Sequence, residues 1–515
     1  MQTIKKENQN PHNNGVSTQQ SSFFETTHLI SDLKGRSVRG GMVTVVAQGI
    51  GFAIRMGSTV ALARMLTPGD FGLISMVTAL TGFAMLFRDM GLSMSTIQRS
   101  AITHQQVSNL FWVNVAVSLL VATVLLLAAP LVGWFYGDPR LTPITQTLAG
   151  SFVFAGLGVQ HQALLKRQMR FMALGIVDIT AMATGVAAAI VAALYGAGCW
   201  SLVIMTIVTE AVVTLATWIA CPWRPGLPRR QAGTKSMLRF GGDITGFSIV
   251  NYFSRNLDNI LIGRFIGAAA LGFYSKAYGL LMLPLAQING PISSVAIPVL
   301  SRLADNPGRY RRYYLKTIRL MALVTAPPIA FTIFFADDII RIVLGDQWRP
   351  AALIYTLLGL SALAQPLYNT QGWLHLTTGH SRRYFNWGII GAVVFSVAFA
   401  AGVAFSAEGV ALAYTLAFFA ILPFCMSYAG NSAGILLKDI ALASGWPMLW
   451  ALGTAGAVKL MAMSFTTTWS PIPRVAFAAA IGAAISFIWI TRISPGLLDH
   501  LREFLADRME AGWSG

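Results

Sequence analysis

ARMLTPGDFGL, residues 63–73, and GRFIGAAALGF, residues 263–273, align without a gap at an offset of 200 residues. Arg64 falls on Arg264, Phe71 on Leu271 and Gly72 on Gly272. The same register carried backwards pairs Arg39 with Arg239, Gly41 with Gly241, Phe52 with Tyr252 and Arg55 with Arg255. After a shift of eight residues, WFYGD at 134–138 lies over IVLGD at 342–346. Any one match is within reach of chance. Paired arginines, paired Gly-Asp corners and a common order of apolar segments together predict a duplicated chain, a common way of building membrane carriers.

The surrounding composition sets the solvent. Of 515 residues, 55% are hydrophobic and 11% charged, with a mean hydropathy of +0.61; a soluble domain carries about 25% charged residues. Crossing the hydrocarbon core takes roughly 20 apolar residues. The apolar segments run from 42–63 and 70–92 through 238–262 to 440–463 and 472–491 and number about fourteen. The expected fold is therefore an all-α integral membrane protein with two six-helix repeats of the same orientation around a central cavity, plus two C-terminal helices. The domain boundaries that follow are a polar cytoplasmic tail over 1–37, an N-terminal bundle over 38–222, a C-terminal bundle over 223–430, the additional pair over 431–492 and a second cytoplasmic tail over 493–515.

Most of the 37 Lys and Arg residues fall in alternate connections, such as Lys166, Arg167 and Arg170, then Arg224, Arg229, Arg230 and Lys235, then Arg302, Arg309, Arg311 and Arg312. Such asymmetry orients a membrane protein with those loops and both termini in the cytoplasm. The formal charge of +17 is thus an orientation signal. Spread over many short loops, it does not form a nucleic-acid footprint. Cys199, Cys221 and Cys425 are far apart, and the seven histidines are scattered, so neither a disulfide framework nor a metal site is expected. No GxxxxGK[ST] loop is present, so no ATP is used and no cofactor is expected.

A charged side chain within a span must face a cleft or a partner, since on the lipid face it costs roughly 3 kcal/mol or more. In the seventh span Asn251, Arg255, Asp258 and Asn259 follow i, i+4, i+7 and i+8 and form one polar stripe. Gln48, Arg55 and Thr59 form the matching stripe in the first span. Arg88 and Lys276 add two further cations. A cleft richer in arginine than in carboxylate attracts an anion, because guanidinium offers bidentate donors matched to phosphate at any working pH. The expected anion cradle is Arg55, Arg255, Arg88, Lys276, Gln48, Asn251 and Asn259. Candidates for ion coupling are Asp258, Glu210 and Asp89. Each has a plainer reading: Arg88 pairs with Asp89 at a span end, Lys276 snorkels to the outer interface, Glu210 makes a structural hydrogen bond, and Asp258 neutralises Arg255 three residues away.

ARMLTPGDFGLISM (63–76), NLDNILIGRFIGAAALGFYSKAYGLLMLPL (256–285) and PVLSRL (298–303) with the basic loop after it resemble the bacterial polysaccharide transporter family, the Wzx-type flippases of the multidrug/oligosaccharidyl-lipid/polysaccharide exporter superfamily. The likeness covers about residues 38–430. It implies a fourteen-helix bacterial inner-membrane protein, not an enzyme, that moves undecaprenyl-pyrophosphate-linked oligosaccharide units to the periplasmic leaflet by alternating access, for exopolysaccharide or lipopolysaccharide biosynthesis. The partners so implied are the lipid-linked oligosaccharide, membrane lipids, a glycan polymerase and a chain-length regulator. The family has no shared substrate motif to carry over residue by residue, and the N-terminal tail is longer than the family needs. The alternatives are a cation-coupled drug exporter, which an arginine-centred cavity suits poorly, and a glycan polymerase, whose large outer catalytic loop has no counterpart here.

Overall fold

In a computed structural model, residues 24, 33–87, 92–99, 102–229, 252, 255–466 and 468–492 are described, and among them the regular structure is helical throughout. Among the described residues, twelve helices are long and apolar enough to cross a membrane. Two of the expected spans are not among the twelve. The segment over 70–92 is interrupted: α-helix gives way after Thr81 to a 3-10 turn over Gly82–Phe87. Of the segment over 238–262, only 252 and 255 onward lie within the described residues.

The helices are α1 (Leu33–Met65), α2 (Pro68–Thr81), α3 (Leu92–Gln98), α4 (His104–Tyr136), α5 (Leu141–Arg167), α6 (Phe171–Leu194) and α7 (Trp200–Ala220). They continue with α8 (255–265), α9 (Ala268–Arg302), α10 (Pro307–Phe334), α11 (Ala336–Val343) and α12 (Ala351–Asn369). The last five are α13 (Gln371–Thr377), α14 (Ser381–Val403), α15 (Ala407–Gly430), α16 (Leu437–Phe465) and α17 (Pro471–Arg492). Their ends follow local chemistry. At the start of α4, Thr103 accepts from the Gln106 N–H at 3.2 Å while the Gln106 side chain accepts from the Thr103 N–H at 3.1 Å, a reciprocal cap. Gly137 stops that helix at φ 72, a left-handed conformation that glycine adopts without Cβ strain. Asn306 caps α10 ahead of Pro307, where a missing N–H costs nothing.

By contact the chain divides into two compact units, Met1–Leu62 with Leu80–Tyr252, and Ala63–Ala79 with Phe253–Gly515. In the first, α4 packs on α5, and α7 on α5 and α6. Its best-buried corner holds Phe111, Leu164, Leu165 and Trp223. Trp223 donates to His104 Nδ1 at 3.0 Å, and His161 stacks on Trp218 with ring centroids 4.5 Å apart. Arg167, counted among the loop cations above, is 5% exposed and donates to the carbonyls of Thr96 at 3.0 Å and Arg99 at 2.5 Å; it satisfies carbonyls left open at the end of α3.

In the second unit, α10 packs on α12 and α16, and α14 on α15. Tyr310 and Tyr314 are buried there and bond the hydroxyls of Thr377 and Thr370 at 2.7 and 2.8 Å. The opening stretch of sequence belongs to this unit and packs on its own repeat copy. A Cβ on Gly72 would overlap the Ala268 carbonyl, and a Cβ on Gly272 would overlap that of Pro68. Only glycine permits two helix backbones to approach so closely.

Candidate functional site

The candidate residues in the second unit are positioned by the hairpin of α8 and α9. The chain leaves α8 with the N–H groups of Ile266 and Gly267 bonded to the Ile262 carbonyl at 2.9 and 3.0 Å. Gly267 at φ 120 then turns into α9. Two antiparallel helices joined by so short a turn bring residue 258 beside residue 274.

Asp258 is 6% exposed. One carboxylate oxygen accepts from the Asn259 N–H at 2.7 Å and the other from the Tyr274 hydroxyl at 2.9 Å. Tyr274 is itself 1% exposed and stacks parallel to Tyr278 at 6.5 Å. Asp258 makes no ion pair with Arg255, so its partner is a tyrosine on the next helix and not the arginine on its own. Arg255 is exposed. Asn259 is half-buried, and its side-chain oxygen is buried without a hydrogen bond. A buried acceptor left open in this way costs about 1–3 kcal/mol.

Among the described residues Lys276, on α9, makes no ion pair with a carboxylate. Its ammonium sits 3.9 Å from the centroid of the Phe71 ring, an attraction of about 0.5–2 kcal/mol. Phe71 leans edge-on against Trp348 at 5.4 Å, and Trp348 meets Phe273 at 5.9 Å. Deeper in the unit, Gln365 of α12 donates to the Tyr414 hydroxyl at 3.5 Å, and Tyr414 packs against Phe395 at 5.2 Å and Phe399 at 5.7 Å.

In the first unit, Arg55 and Gln48 are both exposed on α1. Arg55 donates to the Gly51 carbonyl one turn back at 3.3 Å, and Ser58 to the Arg55 carbonyl at 2.9 Å. The Arg55 Nε and the Ser58 hydroxyl are thus bonded along their own helix, and among the described residues Arg55 makes no ion pair. Glu210 is half-buried on α7. Arg88, Asp89 and Asn251 lie outside the described residues. Among the described residues no cluster of His, Cys, Asp and Glu is suited to a metal ion.

The structure therefore brings Arg255, Asp258, Asn259 and Lys276 onto one helical hairpin. It adds Tyr274, which the sequence reading did not single out. The signal was available in the repeat register: Asp258 replaces Ser58 in the same copy in which Tyr274 replaces Ile74.

The corner arginines and Gly-Asp turns have local jobs. Arg64 donates to the Ile342 carbonyl at 2.6 Å. Gly345 adopts φ 106, as Gly137 adopts φ 72. In the exposed turn after α4, Arg140 binds Asp138 with its Nε at 3.0 Å and an Nη at 2.7 Å, and this guanidinium holds the Asp138 carboxyl below the usual carboxylate range.

Comparison with known proteins gives one consistent set. The family described as polysaccharide biosynthesis protein matches residues 61–353. The lipopolysaccharide biosynthesis protein WzxC of Escherichia coli (strain K12) is 26% identical over 372 residues, which is 72% of this chain and 76% of that one. The teichuronic acid biosynthesis protein TuaB of Bacillus subtilis (strain 168) is 28% identical over 364 residues, covering 70% and 74%. The succinoglycan biosynthesis transport protein ExoT of Rhizobium meliloti (strain 1021) is 22% identical over 352 residues, covering 68% and 71%. Among solved structures, the inward closed conformation of the lipid II flippase MurJ superposes with a TM-score of 0.70 at 13% identity, covering 89% of this chain and 100% of that one. An inward-facing multidrug resistance MATE family transporter of the MOP superfamily gives 0.54 at 12% identity, covering 80% and 98%. At these identities the structural likeness is one of fold.

Proposed function

We propose, from the premise that this chain belongs to the polysaccharide biosynthesis protein family, that it is a multi-pass carrier which flips undecaprenyl-pyrophosphate-linked oligosaccharide repeat units across the bacterial inner membrane by alternating access, with both termini cytoplasmic. In this reading the cargo serves exopolysaccharide or lipopolysaccharide assembly, and a glycan polymerase and chain-length regulator act downstream. It is a carrier and not an enzyme.

The observation that supports the reading is the pair of arginines at equivalent repeat positions. Arg55 and Arg255 are both accessible, and among the described residues neither makes an ion pair. A guanidinium at membrane depth without a carboxylate needs water or an anion beside it. The pyrophosphate of a lipid-linked sugar is such an anion, and guanidinium binds phosphate through two parallel N–H donors. Lys276 is assigned to the same cargo phosphate, Gln48 and Asn259 to sugar hydroxyls, and Asp258 to ion coupling.

The test is Arg55→Ala and Arg255→Ala in cells whose surface glycan depends on this chain. A charge-assisted contact is worth about 1.5–3 kcal/mol, so each variant should lower apparent cargo affinity about 10- to 150-fold at unchanged membrane abundance. Lysine in either position should rescue only in part, because it lacks the planar fork. Full export by both alanine variants would remove the anion-cradle assignment.

A further inference from the structure

The turn between α5 and α6 departs from its counterparts in one residue. The Arg170 N–H bonds the Leu165 carbonyl at 2.9 Å and the Met169 N–H that of Lys166 at 3.0 Å, the paired closure that ends a helix through one left-handed residue. The same closure follows α4 at Gly137, α6 at Gly196 and α13 at Gly379, with φ of 72, 76 and 77. Here the left-handed residue is Met169, at φ 53, and among the described residues it is the one non-glycine with a positive φ. The α13–α14 turn holds the corresponding place in the second repeat, so glycine serves where only the turn is needed. A Cβ in the left-handed region is strained, and such strain persists only where the surroundings impose it.

What the Met169 side chain gains is a place in the wall of a cavity. A space of about 400 Å³ lies between the start of α1 and the start of α6, all within the first unit, and Gly40, Val43, Met169, Arg170, Met172 and Ile176 line it. Ligand pockets run from roughly 300 to 1,000 Å³. A Cβ on Gly40 would fall 2.5 Å from the Phe171 ring, so α1 closes one side of the space by direct contact. The other side is open: Met172 and Ile176, one turn apart on α6, are each 60% exposed. An apolar face left uncovered on a spanning helix meets hydrocarbon. Among the described residues Arg170 is the one charged residue of the lining. It is exposed, donates one N–H to the Ala220 carbonyl at 3.1 Å, and makes no ion pair among the described residues.

We infer that this space is a binding site for one anionic phospholipid of the bilayer, with its phosphate on Arg170 and an acyl chain against Met169, Met172 and Ile176. The choice of the cytoplasmic leaflet rests on the orientation proposed above; the binding itself does not. Guanidinium takes a phosphate through two parallel N–H donors, and basic sites between spanning helices on the cytoplasmic side suit anionic head groups. The flexible thioether of methionine follows chains of differing shape, which is a reason to keep it at a strained position. The cargo lipid fits less well. The cradle assigned to the cargo is paired across the repeats, Arg55 with Arg255, whereas Met169 and Arg170 answer Gly379 and His380 in the corresponding turn. A phospholipid held here fills the gap between α1 and α6 and steadies the helix that carries Arg55.

The test uses the full chain, stripped of lipid in a neutral detergent and titrated under native mass spectrometry with phosphatidylglycerol, phosphatidylcholine or polyprenyl phosphate. One phosphatidylglycerol should be retained at about tenfold lower concentration than phosphatidylcholine, the low end for a charge-assisted contact. Met169→Gly should relax the turn, leave the detergent unfolding midpoint unchanged or higher, and still weaken phosphatidylglycerol retention several-fold. A methionine with a purely structural role would not give that combination. Arg170→Gln should remove the preference for phosphatidylglycerol, and Val43→Trp, which fills the space, should lower retention of both phospholipids. Equal retention of the two by the unaltered chain overturns the site, as does phosphatidylglycerol retention that Met169→Gly leaves unchanged. Tighter retention of polyprenyl phosphate than of phosphatidylglycerol, lost in the same variants, overturns the phospholipid assignment in favour of the cargo lipid. No readout needs transport, so failure of the carrier reading would leave each of these results standing.

Discussion

The firmest prediction concerns Asp338, a carboxylate 2% exposed on α11 between two cations from the C-terminal helices. Arg474 of α17 hydrogen-bonds one oxygen at 3.2 Å. Lys459 of α16 stands 3.6 Å from the other, beyond hydrogen-bonding distance, with its ammonium 4.6 Å from the centroid of the Phe335 ring. At an effective dielectric of 20 each attraction is about 5 kcal/mol before desolvation. Both cations keep 25% of their side-chain surface, which softens what is lost when the acid is removed. Asp338→Ala leaves two cations facing each other, and the cost should fall near the lower end of the 3–5 kcal/mol expected for breaking a buried pair, about 3 kcal/mol. Arg474→Met removes the one hydrogen-bonded partner and should cost about 2 kcal/mol. Lys459→Met leaves the Arg474 bond intact and should cost about 1 kcal/mol or less, since its length places it outside the charge-assisted class. Replacing all three by apolar residues should recover most of the loss. The assay is the unfolding midpoint of the purified chain in mixed micelles titrated with a denaturing detergent. A Lys459→Met loss equal to or above that of Asp338→Ala would refute the ranking and the geometry behind it.

Two further predictions concern the hairpin and an exposed turn. Tyr274→Phe should cost about 1.5–3 kcal/mol by the same titration, the worth of a hydrogen bond to a charged acceptor. It should cost almost nothing once Asp258 is already Ala, which offers no acceptor, so a double-mutant cycle with additive losses counts against the pairing. Asp138→Asn removes a carboxyl whose folded pKa lies below its ordinary 3.8 because of Arg140. Its contribution is present above the unfolded value and lost as pH falls through the folded one. Arg140 is 68% exposed, so the difference should be at most about 1 kcal/mol at neutral pH and should vanish toward pH 2; melts that differ equally at both ends refute it.

The sequence made the helical membrane class plain because apolar length is a local signal, and twelve of the expected spans follow it. It missed what depends on distant partners. Lys459 stands in an apolar run as a lone charge, and its acid is more than a hundred residues away, on the short helix between α10 and α12. Arg64 has no sequence cue pointing to a backbone carbonyl 278 residues away. The interruption after Thr81 escaped because Gly82 and the apolar residues after it keep the hydropathy of a continuous helix. The reading of Asp258 as a foil for Arg255 failed for a simpler reason. Three residues along a helix is a permitted spacing for an ion pair, but the tyrosine across the hairpin offers a donor within a buried site, and the arginine side chain is directed to the exposed surface.

That last point changes what Arg255 requires. In the first repeat Ser58 and Arg55 each bond their own helix backbone, and the position equivalent to Tyr274 is Ile74. In the second repeat serine becomes aspartate and isoleucine becomes tyrosine together, so the added acid arrives with its own donor. A carboxylate already accepting from Tyr274 at 2.9 Å and from a backbone N–H at 2.7 Å is engaged on both oxygens. Neither of these donors is Arg255. The two arginines thus stay equivalent across the repeats even though their neighbours differ. Among the described residues neither makes an ion pair, which is what the proposed role in holding an anionic cargo requires of both.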